Sequence, residues 1–407
     1  FLYSLISNRN KSIRKFYNVV NNIVILDEIQ AIPHKYWFLF NKITHFLAEK
    51  FNIYFVLVTA TQPLLFNEKS AEIKPLIMNK ERHFKALNRV DLKYNSESLC
   101  LNDFQEILKE DIYSNLNKDF LIVLNTINSS LEIYNFICQL ELENTEIYYL
   151  STNIIPRERL RRINKSRKNA KKRKIIISTQ LIEAGVDLDV DIVYRDFAPL
   201  DSINQVAGRC NRNFNQNKGL IKIFVLKAEE EKKEYYRYIY DDFIISKTKD
   251  VLEEASKKQI EEKDFLSLNN LYFDKVNQGK ADDKSKEILG YVKKLSFSEL
   301  NKFKLIENNY KKMDIFVEAD KEGREIYKKY RDLSLIKDFF KRKNEFLKIK
   351  KSFYDYVISV SYQYAVDFIV EDKTIGHISL EEIKQNNYYE LETGFIRDKK
   401  SGGTLIY

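Results

Sequence analysis

Short, unbroken apolar runs that end in polar or acidic residues recur along the first half of this chain. Residues 22–27 (Asn-Ile-Val-Ile-Leu-Asp) and 53–59 (Ile-Tyr-Phe-Val-Leu-Val-Thr) are the first two. Runs of this length without alternation are how central strands, buried on both faces, read in a sequence. Between them, Trp37, Phe40, Ile43 and Leu47 share one face of a helix predicted over 32–50. Strand, helix, strand is the α/β pattern, in which ligands sit beyond the carboxyl ends of the strands. Five further strand candidates follow at 119–125, 146–151, 174–178, 191–194 and 220–225, most of them separated by helical spacers. They make one complete α/β unit from about Arg89 to Lys227, joined to the first by residues 67–88.

The texture changes after Ala228. Tyr236, Tyr240 and Phe243 recur at helical spacing in a charged stretch. Ile336, Phe339, Phe340, Phe346 and Leu347 form a second stripe, and Tyr354, Tyr356, Ile358, Val360 and Tyr362 alternate as a strand does. Core packing is the expected use of these aromatics, ahead of stacking on bases. The pattern therefore divides the chain into 1–75, 76–228 and a mixed, mainly helical accessory domain at 229–407.

Composition narrows the class. With 44% hydrophobic and 31% charged residues over 407 positions, the chain is of the folded rather than the disordered kind. No apolar run approaches the roughly 20 residues that span a bilayer, so no membrane partner is expected. Three cysteines stand far apart with no C-x-x-C, which points to neither a disulfide framework nor zinc, and to a reducing cytoplasm. The net charge of +9 is concentrated. Residues 157–174 hold eleven Lys or Arg against a single Glu, the pattern of a surface that meets phosphates, with Arg157 and Arg161 as candidate contacts. A solvated outer helix is the alternative.

The candidate chemistry stands at strand ends. Asp27 and Glu28 close the first run; adjacent carboxylates there can hold Mg²⁺ and orient an attacking water, because they point in different directions. Thr59 and Thr61 close the next, two hydroxyls able to bond the acidic pair. Ser178, Thr179 and Gln180 follow the strand at 174–178, with Gly185 and Asp187 beyond; hydroxyls and backbone amides suit a phosphate, and glycine permits close approach. Gln205, Arg209 and Arg212 fall at i, i+4 and i+7, so a continuous helix would present all three on one face. Arginine is suited to spreading the charge of a γ-phosphate in transfer. These motifs in this order read as a nucleic-acid-stimulated ATPase.

The four motifs, Asp-Glu-Ile-Gln at 27–30, Thr-Ala-Thr-Gln-Pro at 59–63, the segment 178–189 and Gln-Val-Ala-Gly-Arg-Cys-Asn-Arg at 205–212, resemble motifs II, III, V and VI of superfamily-two helicases. Their spelling is similar to that of the CRISPR-associated helicase-nucleases of type I interference. The resemblance implies tandem RecA-like domains, ATP and Mg²⁺ as cofactors, and single-stranded DNA and an RNA-guided, Cascade-like surveillance complex as partners. It assigns Asp27 to Mg²⁺-ATP and Glu28 to the catalytic base. Gln30 would couple to Gln205, with Gly185 and Asp187 on the nucleotide side. Thr59 and Thr61 would link hydrolysis to movement, Thr179 would touch the DNA backbone, and Arg209 and Arg212 would meet the phosphates.

Two family features are not in this sequence. The one Gly-Lys pair, Gly279-Lys280, is followed by Ala and lies outside any strand-to-helix context, so no phosphate-binding loop is present and the first RecA-like domain reads as incomplete. No His-Asp pair marks a metal-dependent nuclease: His34, His45, His83 and His377 precede Lys, Phe, Phe and Ile. The expectation is a C-terminal fragment, poorly active alone and lacking its N-terminal helicase and nuclease segment. Another DNA or RNA helicase, a non-catalytic DNA-binding remnant and a split motor remain alternatives.

Overall fold

The computed structural model describes residues 1–6, 14–59, 65–66, 73–168, 172–183, 185–215, 217–229, 233–255, 260–305, 311–365, 375–385 and 388–397. Thr61 lies outside them. The first two apolar runs form β1 (Ile23–Leu26) and β2 (Tyr54–Leu57), paired in parallel through the helix Trp37–Phe51. They depart from the expectation of strands buried on both faces: Ile23, Ile25 and Tyr54 are exposed. The helix covers one face of this pair, and among the described residues nothing covers the other.

The second α/β unit is a seven-stranded sheet. Its strands are β3 (Val90–Cys100), β4 (Phe120–Val123), β5 (Thr145–Leu150), β6 (Arg173–Ser178), β7 (Ile192–Asp196), β8 (Gly219–Lys227) and β9 (Ile260–Glu261), in the order β5-β6-β4-β7-β8-β3-β9. All pairings are parallel except β3 with β9. The pleat sends alternate side chains into two cores. Leu121, Val123, Ile176, Val193 and Ile221 join one. Phe120, Ile122, Ile175, Ile177 and Tyr194 join the other, under the helices Leu101–Ser114 and Ile127–Gln139. Five strands were legible as apolar runs. β3 was not, because Asp91, Lys93 and Asn95 interrupt it and a register shift follows between Asn95 and Ser98.

Residues 229–407 do not form one accessory domain; they divide between two cores. The helices Asp242–Ala255, Phe265–Gly279 and Asp283–Lys293 belong to the same core as the first lobe, where Trp37 meets Phe273. Tyr36 donates from its hydroxyl to the Lys304 carbonyl at 3.0 Å, and Ser285 to the Lys35 carbonyl at 2.6 Å. This helical layer therefore ties the two sheets together. Beyond it, β10 (Lys312–Val317), β11 (Val357–Ser361) and β12 (Gly376–Ile378) form a separate sheet in the order β11-β10-β12, packed on Tyr327, Phe353 and Tyr356. The alternating strand expected at 354–362 is β11. The stripe expected at 336–347 is not a buried face. On the helix Phe339–Tyr354 only Phe346, Ile349 and Phe353 turn inward, and Phe339, Phe340 and Leu347 are exposed. No helix among the described residues is long and apolar enough to cross a membrane.

Candidate functional site

β1 ends on Asp27, whose carboxylate accepts the Glu28 N–H at 2.9 Å. Glu28 takes a left-handed backbone, φ 55°, a conformation non-glycine residues rarely adopt and one that clusters at functional sites. It breaks the strand at once and starts the short turn Ile29–Ala31. Gln30 is buried and donates to the Glu28 carboxylate, while the Thr59 hydroxyl donates to the Gln30 side-chain oxygen. A chain from the end of β2 through Gln30 thus holds Glu28 from behind, and Asp27 and Glu28 stay exposed.

Across from it stand the ends of β4 and β6. Ser178 is fully buried, and its hydroxyl donates to the Leu150 carbonyl at 3.0 Å; Thr179 is buried too. In this conformation the Ser178 hydroxyl is not presented to solvent, which corrects the expectation that Ser178 contacts a strand directly. Gln180 donates to the Asn125 carbonyl at 2.9 Å and so clamps the two strand ends. Gly185 has φ +72°, and open space surrounds the position a Cβ would take. Asp187 beyond it is exposed and accepts from Arg212 at 2.9 Å.

The three residues expected on one helical face are not on one helix. The helix Leu200–Ala207 carries Gln205 and stops there. The Gly208 N–H still bonds the Asn204 carbonyl, but Cys210 pairs with Val190 and Asn211 turns left-handed at φ 44°. That geometry cannot continue an α-helix. Arg209 and Arg212 therefore reach the cleft from a turn. Arg209 donates to the Glu183 carbonyl at 2.8 Å, and the Arg212 N–H to Asp189 at 2.8 Å. Burial lowers the Arg209 pKa, as does the neighbouring Arg212; Asp187 and Glu28 act in the opposite direction. Glu28 of the first lobe is thus within electrostatic range of Arg209 of the second. The expected Gln30–Gln205 hydrogen bond is not formed among the described residues.

The basic segment is largely committed to structure. Arg157 pairs with Glu322 at 2.6 Å and lies 5.3 Å from the Tyr356 ring, so it holds the C-terminal unit rather than presenting itself to a strand. Arg162 donates to the Tyr149, Leu391 and Glu392 carbonyls, and Arg173 and Lys174 are residues of β6. Arg161 is exposed but bonds Glu158 at 2.7 Å. Local pairing of most of these cations offsets their charge toward a ligand.

Sequence reasoning missed Arg195. Its guanidinium is wholly buried at the end of β7 and donates to Asn125, Glu183, Ser202 and Tyr240, each between 2.8 and 2.9 Å. One residue therefore ties three strand-end segments to Tyr240 of the helical layer. Burial pushes the Glu183 carboxyl up against the pull of Arg195, and the Asp196 carboxyl up to about 7. The signal was an Arg-Asp pair inside an otherwise apolar strand end, which only pairing and hydrogen bonding make tolerable.

A family model described as CRISPR-associated nuclease/helicase Cas3, C-terminal, matches residues 117–215, the stretch that holds β4 to the Arg209–Arg212 turn. Through that stretch the chain is similar to CRISPR-associated Cas3 helicases. Cas3 of Methanothermobacter thermautotrophicus is 27% identical over 43% of this chain and 20% of its own length. That of Streptococcus thermophilus is 30% identical over 31% of this chain and 15% of its own. The crystal structure of T. fusca Cas3 with AMPPNP shares the fold, with a TM-score of 0.64 at 12% identity, over 92% of this chain and 53% of that one. A chain of a CRISPR RNA-guided surveillance complex in a pre-nicking state matches with a TM-score of 0.58 at 13% identity, over 93% of this chain and 56% of that one. The tandem RecA-like arrangement is thus the Cas3 architecture, and this chain spans about half the length of the solved Cas3 chain.

Proposed function

We propose that this chain forms motor and C-terminal parts of a CRISPR-interference helicase that uses ATP to move along single-stranded DNA in the cytoplasm, recruited by an RNA-guided surveillance complex. The observation that carries the reading is Glu28, held by Gln30 and Thr59 at the end of β1 and within electrostatic range of Arg209. An acid and two arginines on opposite walls of a cleft suit phosphoryl transfer, where catalysis is positioning and charge stabilisation.

The residues present fit the Mg²⁺ and γ-phosphate side of Mg²⁺-ATP. Asp27 would hold the metal, and Asp187 fixes Arg212. A phosphate-binding loop is not among these 407 residues; Gly279 instead closes a helix and Lys280 caps it. Mg²⁺-ATP supplies γ-phosphoryl transfer to water. Glu28 orients that water and accepts its proton, and Arg209 with Arg212 spreads the charge that develops. Gln30 and Thr59 report the state of Glu28 to the neighbouring strand. Thr179 and Gln180 shape the wall that a DNA backbone passes, and Gly185 leaves room on the nucleotide side. On this reading the 407 residues alone hydrolyse ATP poorly. Turnover returns when a segment bearing a glycine-rich Gly-Lys-Ser/Thr loop is joined to them or added in trans. Substantial strand-stimulated hydrolysis by the purified chain alone would contradict it, as would stimulation by RNA and not by DNA.

A further inference from the structure

Most of the described cations that set the net charge apart in sequence are bonded within the fold, and a different helix carries a cluster without partners. From Lys337 to Tyr354 there are seven Lys or Arg against Asp338 and Glu345. Asp338 is occupied as the N-cap of the helix, accepting the Lys341 N–H. Glu345 pairs with Lys348. Lys337, Lys341, Arg342, Lys343, Lys350 and Lys351 are exposed, and none has a side-chain partner among the described residues. Beside them Phe339 is 60% and Phe340 73% exposed, Leu347 53% and Tyr354 46%.

The order on that face matters. Phe340, Leu347 and Tyr354 recur every seven residues, about 10 Å apart along the helix axis, and Lys343 and Lys350 stand between them. A partner helix wants an unbroken apolar seam, which lysines at the intervening positions interrupt. A lipid surface wants apolar and cationic residues on opposite faces, whereas here they alternate on one. A single-stranded nucleic acid offers what this face matches, with unstacked bases for the rings and phosphates for the cations.

We infer that the outward face of the helix Phe339–Tyr354 is a binding surface for single-stranded nucleic acid, outside the cleft between the two lobes. Bases stack on Phe339, Phe340 and Tyr354, and Lys343, Lys350 and Lys351 hold the backbone. The inference rests on the nucleic-acid half of the proposed function and not on hydrolysis.

The test is fluorescence anisotropy of the full 407-residue chain with labelled oligothymidylate and a duplex of equal length, without nucleotide, over a series of salt concentrations. Two neutralised phosphate contacts account for a salt slope of about 1.4 on a single strand. Lys343→Glu with Lys350→Glu should remove that much slope and weaken binding by at least about tenfold. Phe340→Ala should weaken strand binding by roughly 5- to 100-fold, the range for losing one stacked base, and leave duplex binding unchanged. Arg161→Glu with Lys165→Glu should change little, since both cations are already paired. All substituted side chains are exposed, so unchanged thermal unfolding verifies the fold. Strand affinity unaffected by the Phe339–Tyr354 helix variants, as a protein- or lipid-docking face would give, overturns the inference. So does equal weakening on duplex by Phe340→Ala. The assay contains no nucleotide, which keeps this result separate from the fate of the hydrolysis reading.

Discussion

Arg195 shows how much a single buried charge can organise. Its guanidinium has no contact with solvent, and its two terminal nitrogens donate to Asn125, Glu183, Ser202 and Tyr240. The Glu183 carbonyl, one residue's breadth away, fixes Arg209. Arg195→Met strands the Glu183 carboxylate, and breaking a buried pair in this way costs about 3–5 kcal/mol, to be read as a shift of the urea midpoint. Asp196 beside it gives a pH signature. Its carboxyl is raised by burial from an ordinary value of 3.8 to about 7. A carboxyl raised in the folded state favours folding while protonated, so its contribution is full below pH 4 and lost as pH climbs through about 7. Stability should fall across that window in the parent chain, and Asp196→Asn should flatten the profile.

At the scale of elements, the cleft depends on where strands and helices stop. Gly185 occupies a left-handed position with space around it, so Gly185→Ala meets no clash and costs only the conformation, roughly 1–2 kcal/mol in thermal unfolding. A neutral result would mean the turn relaxes freely. The strands carrying Ser178 and Asp196 were legible because a parallel strand buried on both faces has to be an apolar run; the strand before Asp27 reads the same way although Ile23 and Ile25 are exposed. The turn carrying Arg209 and Arg212 was not. Their spacing fits a helix, but Gly208 and left-handed Asn211 end it, and such local geometry overrides periodicity. Likewise the stripe at Phe339, Phe340 and Leu347 has helical spacing, yet periodicity reports a common face and not what covers it. Charge counting failed in the same manner: it found the segment richest in cations without knowing that Arg157, Arg162 and Lys174 were already bonded.

For the whole molecule, the helical layer from Asp242 to Lys293 and the segment after it make the two sheets one body, through Trp37 against Phe273 and Tyr36 against Phe303. A cleft whose walls carry Glu28 and Arg209 can do work only if strand binding and nucleotide turnover are coupled across it. The decisive measurement is strand-stimulated ATP hydrolysis by this chain joined to a phosphate-loop segment, in the parent, in Glu28→Gln and in Arg209→Ala with Arg212→Ala. The account predicts a loss of stimulated turnover of at least about a hundredfold in both variants, as removal of charge-stabilising groups does, with strand affinity retained. Turnover that survives in either variant would contradict a catalytic cleft built from those residues.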